Sequence, residues 1–509
     1  MSGSLWLKAE SAGLDTLPAV PRPRPSWAAA DPIDDLTTRL EEVIAAAVHP
    51  DEIAAVLESD GMTDDHIRLT YGRENSFALA EDLYARVERR FPEPDGPPAD
   101  PWHTGLGGCL LRGLVFALPG LAYVLGAPLL AGPAAAPGLP AGTVPLLAGA
   151  VTGWVWNQAL SHRAYSWLGL GDRAAAARTL LRGAPAGALV GALVAFAAAA
   201  AGPGEWGGAV FAAGQAVYLA AATVLLVLDR EKALLGALAP LIAGTPAAHW
   251  LGLPDPARAA MLGTSLALAV GLAARELLPW TAPAGEGERA PAGERAPAGE
   301  RAPAGERAPA GRAAPRLAAS VPYGLFGLGT GGLVLYAAIG DVVAEGAGAS
   351  VAGPTAVALT LSMGPAEWLL HRFRSESLAG LRASTSARAF RRTTAVTLSL
   401  CLTVYLAVLL ALAVTGTLLW PGAPDIGGTR LASLLLIGTV LWAALLLQSF
   451  GAVLTAAVVC GAAAAAQTVA LATGTGDPRL VGAGVAGAAA AVLAVFGAVL
   501  LGRATAHRT

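Results

Sequence analysis

After residue 103 the chain consists mostly of long apolar runs of about 20 residues, separated by short polar segments. A helix of that length crosses the hydrocarbon core of a bilayer. The pattern predicts an all-α, polytopic membrane protein of about twelve transmembrane helices. The predicted spans lie near 106–130, 143–162, 184–201, 207–228, 233–251, 259–278, 319–340, 351–370, 394–416, 430–448, 451–473 and 479–501.

Before the first span the pattern is different. Residues 1–30 are rich in proline and are predicted to be disordered. Residues 31–95 show apolar residues at helical spacing together with helix start signals, which predicts a small helical domain of four short helices. The helices are predicted to begin near Asp31, Pro50, Thr63 and Asn75. The last of them is predicted to point Phe77, Leu79, Ala80, Leu83 and Val87 inward.

The charge of residues 31–95 restricts what this domain binds. Acidic residues outnumber arginines in it, and an acidic surface repels the phosphates of nucleic acids. We therefore expect no nucleic acid as a partner. A docking or regulatory module for an unidentified protein partner is the better interpretation.

A repeated hexapeptide divides the membrane region into two parts. GERAPA recurs four times between residues 287 and 311 and contains no large apolar residue. Such a segment cannot bury a core, so 281–316 is predicted to be a disordered linker. It separates a first six-helix half, residues 104–280, from a second, residues 317–503.

Composition and charge support this interpretation. The chain is 54% hydrophobic and only 14% charged, whereas soluble domains carry about 25% charged residues. Lys and Arg are concentrated in alternate connections between the spans. By the positive-inside rule this predicts that both termini lie in the cytoplasm. The richness in Ala, Gly, Pro and Arg is typical of a bacterial genome of high GC content, so we expect a protein of a bacterial plasma membrane, surrounded by membrane lipids.

The chain offers little sign of catalytic chemistry. None of its three cysteines belongs to a CxxC pair, and it has no phosphate-binding GxxxxGK[ST] loop. No HExxH or GxSxG motif is present either. We therefore expect no enzymatic activity, no cofactor and no metal site.

Two similar segments follow the second span of each half. They read LSHRAYSWLGLGDRAAAARTLLR at 160–182 and LLHRFRSESLAGLRASTSARAFRR at 369–392. Aligning His371 with His162 also aligns Glu367 with Gln158. With six helices in each half, this predicts two parallel repeats related by an axis along the membrane normal, an arrangement known from transporters.

Ionisable groups within membrane spans are costly, so each is a functional candidate. Glu367 is the main one. The candidates for binding a substrate or a coupling ion are Glu367, Asn157, Gln158, His162, His371, Trp154 and Trp156. In the alternative interpretation, Glu367 pairs with His371 or Arg372 as a structural clamp.

Five charged residues that follow the second spans of the two halves are candidates for a cytoplasmic gate. They are Arg163, Asp172, Arg173, Arg372 and Arg374. The same residues are also suited to contact lipid phosphates. Both roles are compatible with the sequence.

The first of the two segments resembles a known family. Gln158 followed by LGLGDRAAAAR is similar to the loop after helix two in the superfamily of multidrug efflux proteins and oligosaccharide-lipid or polysaccharide flippases. The matching positions are Leu168, Gly169, Gly171, Asp172, Arg173 and Arg178; the second half lacks the Gly-Asp pair. The resemblance implies a flippase or exporter that moves a lipid-linked glycan, a polysaccharide or another amphipathic substrate by alternating access.

Two other functions stay open. Gly169, Asp172 and Arg173 also match part of the loop motif of the major facilitator superfamily, although the later glycine is replaced by Ala175 and the double arginine is absent. That match would make the chain a permease. The third possibility is a non-transporting membrane scaffold that recruits a partner through its acidic N-terminal domain.

Overall fold

The computed structural model describes residues 31–88, 90, 100, 102, 104–130, 142–202, 206–280, 314–345, 353–384, 386–419 and 427–507. Within these residues all regular secondary structure is helical. The chain forms two structural units, residues 1–99 and 100–509. The proline-rich segment 1–30 and the hexapeptide repeat 287–311 lie outside the described residues.

The first unit contains five short helices. They are α1 (Pro32–Arg39), α2 (Glu41–Ala46), α3 (Pro50–Ser59), α4 (Asp64–Tyr71) and α5 (Ser76–Arg86). The predicted starts at Pro50, Thr63 and Asn75 are confirmed, because the Thr63 and Asn75 side chains cap α4 and α5. The first predicted helix is two helices, since the backbone bends at Leu40 while its hydrogen bonds continue on both sides.

The core of this unit draws on all five helices. In α5 the buried positions are Ser76, Leu79, Ala80 and Leu83, which form one helical stripe. The prediction that Phe77 points inward is wrong, because Phe77 lies beside this stripe and is 52% exposed. Ser76 takes the inward position and donates a hydrogen bond to Glu58 at 2.7 Å.

An ion-pair network anchors the end of α5. Arg73 and Arg86 contact the same oxygen of Asp82 at 2.6 and 3.2 Å, and Arg86 also contacts Asp34 at 3.0 Å. Burial by itself would raise the pKa of Asp82. Hydrogen bonds from the two guanidinium groups outweigh burial and lower the pKa below its ordinary value.

We expect α5 to lose protection as the pH falls below about 4, the ordinary range for Asp. Because the pKa of Asp82 is lower in the folded state than in the unfolded state, its contribution is complete above the unfolded pKa and is lost as the pH falls through the folded pKa. Hydrogen exchange of α5 amides in the full-length protein measures the effect. Asp82→Asn should remove this acid sensitivity, whereas Glu81→Gln at the exposed neighbouring position should retain it.

The first half of the second unit begins with a helix that is interrupted at Pro119. It comprises α6 (Leu106–Ala117), a 3₁₀ turn (Leu118–Gly120), α7 (Leu121–Leu125) and α8 (Ala127–Leu130). The remaining helices of this half are α9 (Thr143–Gly169), α10 (Arg173–Ala201), α11 (Trp206–Val227), α12 (Glu231–Ala237), α13 (Ala239–Trp250) and α14 (Asp255–Leu277).

The second half begins after a 3₁₀ turn at Leu317–Ser320 and ends with another at Ala504–His507. Its helices are α15 (Val321–Glu345), α16 (Gly353–Leu361), α17 (Met363–Ala383), α18 (Ala387–Leu419), α19 (Gly428–Ser449), α20 (Val453–Thr473) and α21 (Pro478–Leu501). The predicted span near 351–370 is therefore two helices that meet at Ser362.

The chain is a multi-pass membrane protein. Within the described residues, ten helical segments are long and apolar enough to cross a membrane. Helices also lie within the predicted spans near 143–162 and 351–370, but these two are outside the ten. Asn157 and Gln158 lower the hydropathy of α9, and Glu367 and several arginines do the same for α17.

The two arginine-rich segments are helical rather than loops. Helix α9 continues to Gly169 and α17 to Ala383. The link after α9 turns at Gly171, whose φ of +78° favours glycine. Helices α6 and α15 begin, and helices α9 and α17 end, at the same end of this unit. We call this end the basic face, because it carries Arg163, Arg372 and Arg374.

Each half has its own buried core. One large apolar cluster and two smaller ones lie entirely within the first half. Two further clusters lie entirely within the second half. Each half can therefore keep its internal packing without the other.

The halves meet where glycines allow helices to approach closely. On the α6–α17 seam, a Cβ added to Gly113 would lie 2.8 Å from the backbone nitrogen of Gly364. On the α9–α15 seam, a Cβ added to Gly327 would lie 3.2 Å from the carbonyl oxygen of Trp154. Small residues at such crossings are typical of membrane helix packing.

Candidate functional site

A network of three charged side chains lies on the α6–α17 seam. Arg112, in the second turn of α6, contacts Glu367 of α17 through Nη1. Its Nη2 donates to Glu231 Oε1 at 2.7 Å, and its Nε donates to the same oxygen at 3.1 Å. Glu231 is the first residue of α12 in the first half. One guanidinium is therefore shared between a carboxylate of its own half and a carboxylate of the other half.

The network is partly shielded from solvent and carries an excess of negative charge. The side chains of Arg112, Glu231 and Glu367 are 38%, 16% and 25% exposed. Two carboxylates face one guanidinium, so the network has one negative charge more than positive. Charge-assisted hydrogen bonds of this kind are among the stronger polar contacts in proteins. Here they hold the two halves together at the basic face.

The clamp expected within α17 does not form. Arg372 pairs instead with Glu376 at 2.7 Å, one turn further along the helix. Nδ1 of His371 is buried and has no hydrogen-bond partner among the described residues. Glu367 turns toward α6 because Arg112 offers it a charged partner in the neighbouring half.

Sequence reasoning missed Arg112 and Glu231. Arg112 is an ionisable residue within the first predicted span, and by the criterion applied to Glu367 it is a functional candidate. Glu231 was obscured by its position beside Arg230 and Lys232 in a short polar connection. The solitary arginine in an apolar run was the signal that could have identified the network.

The α9–α15 seam is closed by ring stacking and hydrogen bonds. The His162 ring stacks on Tyr323, with centroids 3.7 Å apart and an interplanar angle of 20°. His162 Nδ1 lies 3.0 Å from the hydroxyl of Ser320. Arg163 donates to the carbonyl oxygen of Pro315 at 3.0 Å. His162 and Arg163 thus connect the first half to the start of the second.

Two of the other predicted residues of α9 reach this seam. Trp154 packs against Gly331, where an added Cβ would lie 2.4 Å from the indole ring. Gln158 packs against Gly327. Trp156 faces its own half and donates to the Gly183 carbonyl at 2.8 Å.

Asn157 makes its contact within its own helix. Its Nδ2 donates to the carbonyl oxygen of Gly153, one turn earlier in α9, at 2.8 Å. Its Oδ1 is buried and has no hydrogen-bond partner among the described residues. The structure therefore places Trp154, Gln158 and His162 on the seam and turns Trp156 into the first half.

Arg374 is enclosed at the basic face of the second half. Its guanidinium carbon lies 3.6 Å from the ring centre of Trp102 and 4.6 Å from that of Phe450. Its Nη1 donates to the Ser449 carbonyl at 2.6 Å, and the neighbouring Ser375 hydrogen-bonds to Asp100. Arg374 therefore holds the residues just before α6 against α17.

The remaining gate candidates lie apart from the seams. Asp172 caps α10 by accepting a hydrogen bond from the Ala175 amide at 2.7 Å. Arg173 is exposed in the first turn of α10. Arg372 lies over the Trp368 ring at 5.5 Å. Among the residues that the structure describes, no group of three His, Cys, Asp or Glu side chains could hold a metal ion.

Comparison with known proteins adds no relative. No family model, curated protein or solved structure matches this chain. The case for function therefore rests on the geometry of the seams.

Proposed function

We propose that this protein is a membrane transporter of the flippase or exporter type, moving a lipid-linked glycan, a polysaccharide or another amphipathic molecule by alternating access. In this proposal α9 and α16–α17 complete twelve spans. The two six-helix halves are parallel repeats in a bacterial plasma membrane, with both termini and the basic face in the cytoplasm. The halves rock against each other to open one side at a time.

The observation that carries the proposal is the separation of the cores. The buried apolar clusters are each confined to one half. The halves contact each other at the glycine crossings and polar contacts of the two seams. Two rigid bodies joined in this way can rotate without repacking their interiors, which alternating access requires.

The positions of the seams support the repeat. When His371 is aligned with His162, Gly364 aligns with Val155 and Gly113 aligns with Pro322. Gly113 crosses Gly364, and Gly324, two residues from Pro322, crosses Val155, where an added Cβ would lie 3.3 Å from the carbonyl oxygen. The first helix of each half therefore crosses the second predicted span of the other at nearly equivalent positions.

The polarity of the crossing helices also supports transport. The two predicted spans outside the ten apolar segments, α9 and α16–α17, both meet the first helix of the opposite half. A polar helix between two bundles is suited to line a path, whereas the same helix facing lipid would be costly. A major facilitator-type permease would share this architecture and differ in substrate.

A scaffold is the second candidate, favoured by the first unit. Leu69 is 87% exposed there and Phe77 is 52% exposed. Exposed large apolar side chains are suited to hold a partner protein. A scaffold requires this unit, whereas a transporter requires motion between the halves.

The test uses a strain of the source organism that lacks the gene. We would complement it with the wild type, with a His162→Cys/Ser320→Cys variant, or with a variant lacking residues 31–95. Lipid-linked glycans and surface polysaccharide are then quantified with and without a short bifunctional thiol cross-linker. The two single-cysteine variants receive the same treatment as matched controls.

A transporter predicts that lipid-linked glycan accumulates in the deletion strain and that the wild type reverses this. Cross-linking the double-cysteine variant should make lipid-linked glycan accumulate again. The cross-linker should not change the glycan level in the single-cysteine variants. Loss of function only on removal of 31–95 would identify a scaffold. Unchanged glycans in the deletion strain would reject glycan flipping, and efflux of ethidium, an amphipathic cation, would then be measured in the same strains.

A further inference from the structure

We infer that Arg112 is the moving contact of the gate at the basic face. Glu367 holds Arg112 while the α6–α17 seam is closed, and a proton on Glu367 releases Arg112 to Glu231 so that the seam can open. This inference rests on the proposed alternating access and names the residues that control it.

The arrangement of the network makes the exchange feasible. Arg112 already donates to Glu231 through Nε and Nη2 while Nη1 contacts Glu367. Arg112 and Glu231 belong to the same half, so their contact does not oppose separation of the halves. Within this network, only the contact with Glu367 must break. After it breaks Arg112 still has a carboxylate partner, which avoids the cost of an unpaired charge in a shielded place.

The charge balance identifies the trigger. Without a bound proton the network contains two carboxylates and one guanidinium. A proton taken from water at the basic face onto a carboxylate oxygen of Glu367 leaves a neutral carboxylic acid beside a neutral Arg112–Glu231 pair. Glu367 then loses most of its attraction for Arg112. When the proton returns to water, the attraction is restored and the seam closes.

Several other ionisable groups lie near Glu367, and their effects must be separated from its own. His371 lies one turn further along α17, Cys109 lies on α6, and Tyr165 lies on α9; each is close enough to interact electrostatically with Glu367. Arg112 on α6 and Glu231 on α12 complete the charged surroundings. On the other seam His162 titrates as well. The Glu231→Gln variant separates these possibilities because it leaves α9 and α17 unchanged.

The experiment measures the opening directly. Ala174→Cys in α10 and Ala383→Cys in α17 are aligned positions in the two halves, just beyond the ends of the seams. Both would carry spin labels in the full-length protein, while the native Cys109, Cys401 and Cys460 are buried. The protein is reconstituted into vesicles of phosphatidylethanolamine and phosphatidylglycerol. Distances between the labels are recorded by pulsed electron resonance from mildly alkaline pH down to about pH 4, the ordinary range for Glu.

We expect the double-labelled protein to shift from a short to a longer distance as the pH falls. Glu367→Gln should favour the longer distance at every pH, raising the open-to-closed ratio at alkaline pH by about tenfold to a hundredfold, the equivalent of one charge-assisted hydrogen bond. Glu231→Gln should have the opposite effect and keep the short distance at acidic pH, because Arg112 then has no second acceptor. His371→Gln should still shift from the short to the longer distance as the pH falls.

The possible outcomes separate this inference from the proposed function. Two distances whose proportions respond neither to pH nor to Glu367→Gln would leave the rocking motion intact and overturn the exchange of Arg112. A Glu231→Gln variant that opens like the parent protein would also overturn it. A single unchanged distance in every sample would overturn both the exchange and the alternating-access proposal.

Discussion

Replacing Gly113 with alanine is expected to destabilise the membrane unit by about 2 kcal/mol. The added Cβ would lie 2.8 Å from the backbone nitrogen of Gly364 and 2.9 Å from its Cα. A backbone cannot move aside as a flexible side chain can, so α6 and α17 would have to separate. The Arg112–Glu367 contact beside this crossing would weaken with them.

Thermal unfolding of the protein in detergent measures this effect, and the same helix supplies the control. Gly108 lies five residues earlier in α6, and a Cβ added there would have no neighbour within 4 Å. Gly108→Ala should leave stability unchanged or raise it by up to about 1 kcal/mol through helix propensity. Equal unfolding temperatures for the two variants would show that the close crossing at Gly113 does not contribute to stability.

Replacing Arg112 with alanine should have an effect of similar size, about 2–3 kcal/mol. Glu231 and Glu367 would be left near each other without a positive charge between them. The cost is below that of a fully buried pair because all three side chains keep some access to solvent. The same unfolding measurement applies.

The matched controls for Arg112 test charge separately from packing. Adding Glu231→Gln and Glu367→Gln to Arg112→Ala should recover most of the lost stability, since the repulsion between the carboxylates disappears. Arg178→Ala, at an exposed position of α10, should change little. If the triple variant is no more stable than Arg112→Ala, packing of the arginine side chain rather than its charge stabilises the seam.

The sequence was sufficient for features that depend on local pattern. Caps at Thr63 and Asn75 identified the starts of α4 and α5, because a capping side chain acts within a few residues. Runs of apolar residues predicted twelve spans, and ten of these correspond to helical segments long and apolar enough to cross a membrane, because both criteria depend on length and hydropathy. Phe77 shows the limit of this reasoning, since a helix can rotate by one position when a neighbour such as Ser76 takes the inward position and finds a hydrogen-bond partner.

The contacts between the halves could not be predicted from local pattern. Arg112 and Glu367 are far apart in sequence, and their contact depends on how α6 crosses α17. The expected partners of Glu367, His371 and Arg372, are neighbours on its own helix, where sequence reasoning naturally searches. The helix extensions to Gly169 and Ala383 were missed for a different reason, because charged residues after a span were taken as a sign of a loop rather than of a helix that leaves the membrane.

The two seams differ in their mechanical character. On the α6–α17 seam, Gly113 and Gly364 bring two nearly smooth backbones together, with no side chain between them to interlock. On the α9–α15 seam, the Trp154 ring fills the space beside Gly331, and the two helices therefore interlock there. Sliding one helix along another costs the least free energy at a smooth contact and the most at an interlocked one. A relative rotation of the halves would therefore have its axis near Trp154 and its largest displacement near Gly113, where the charged network lies.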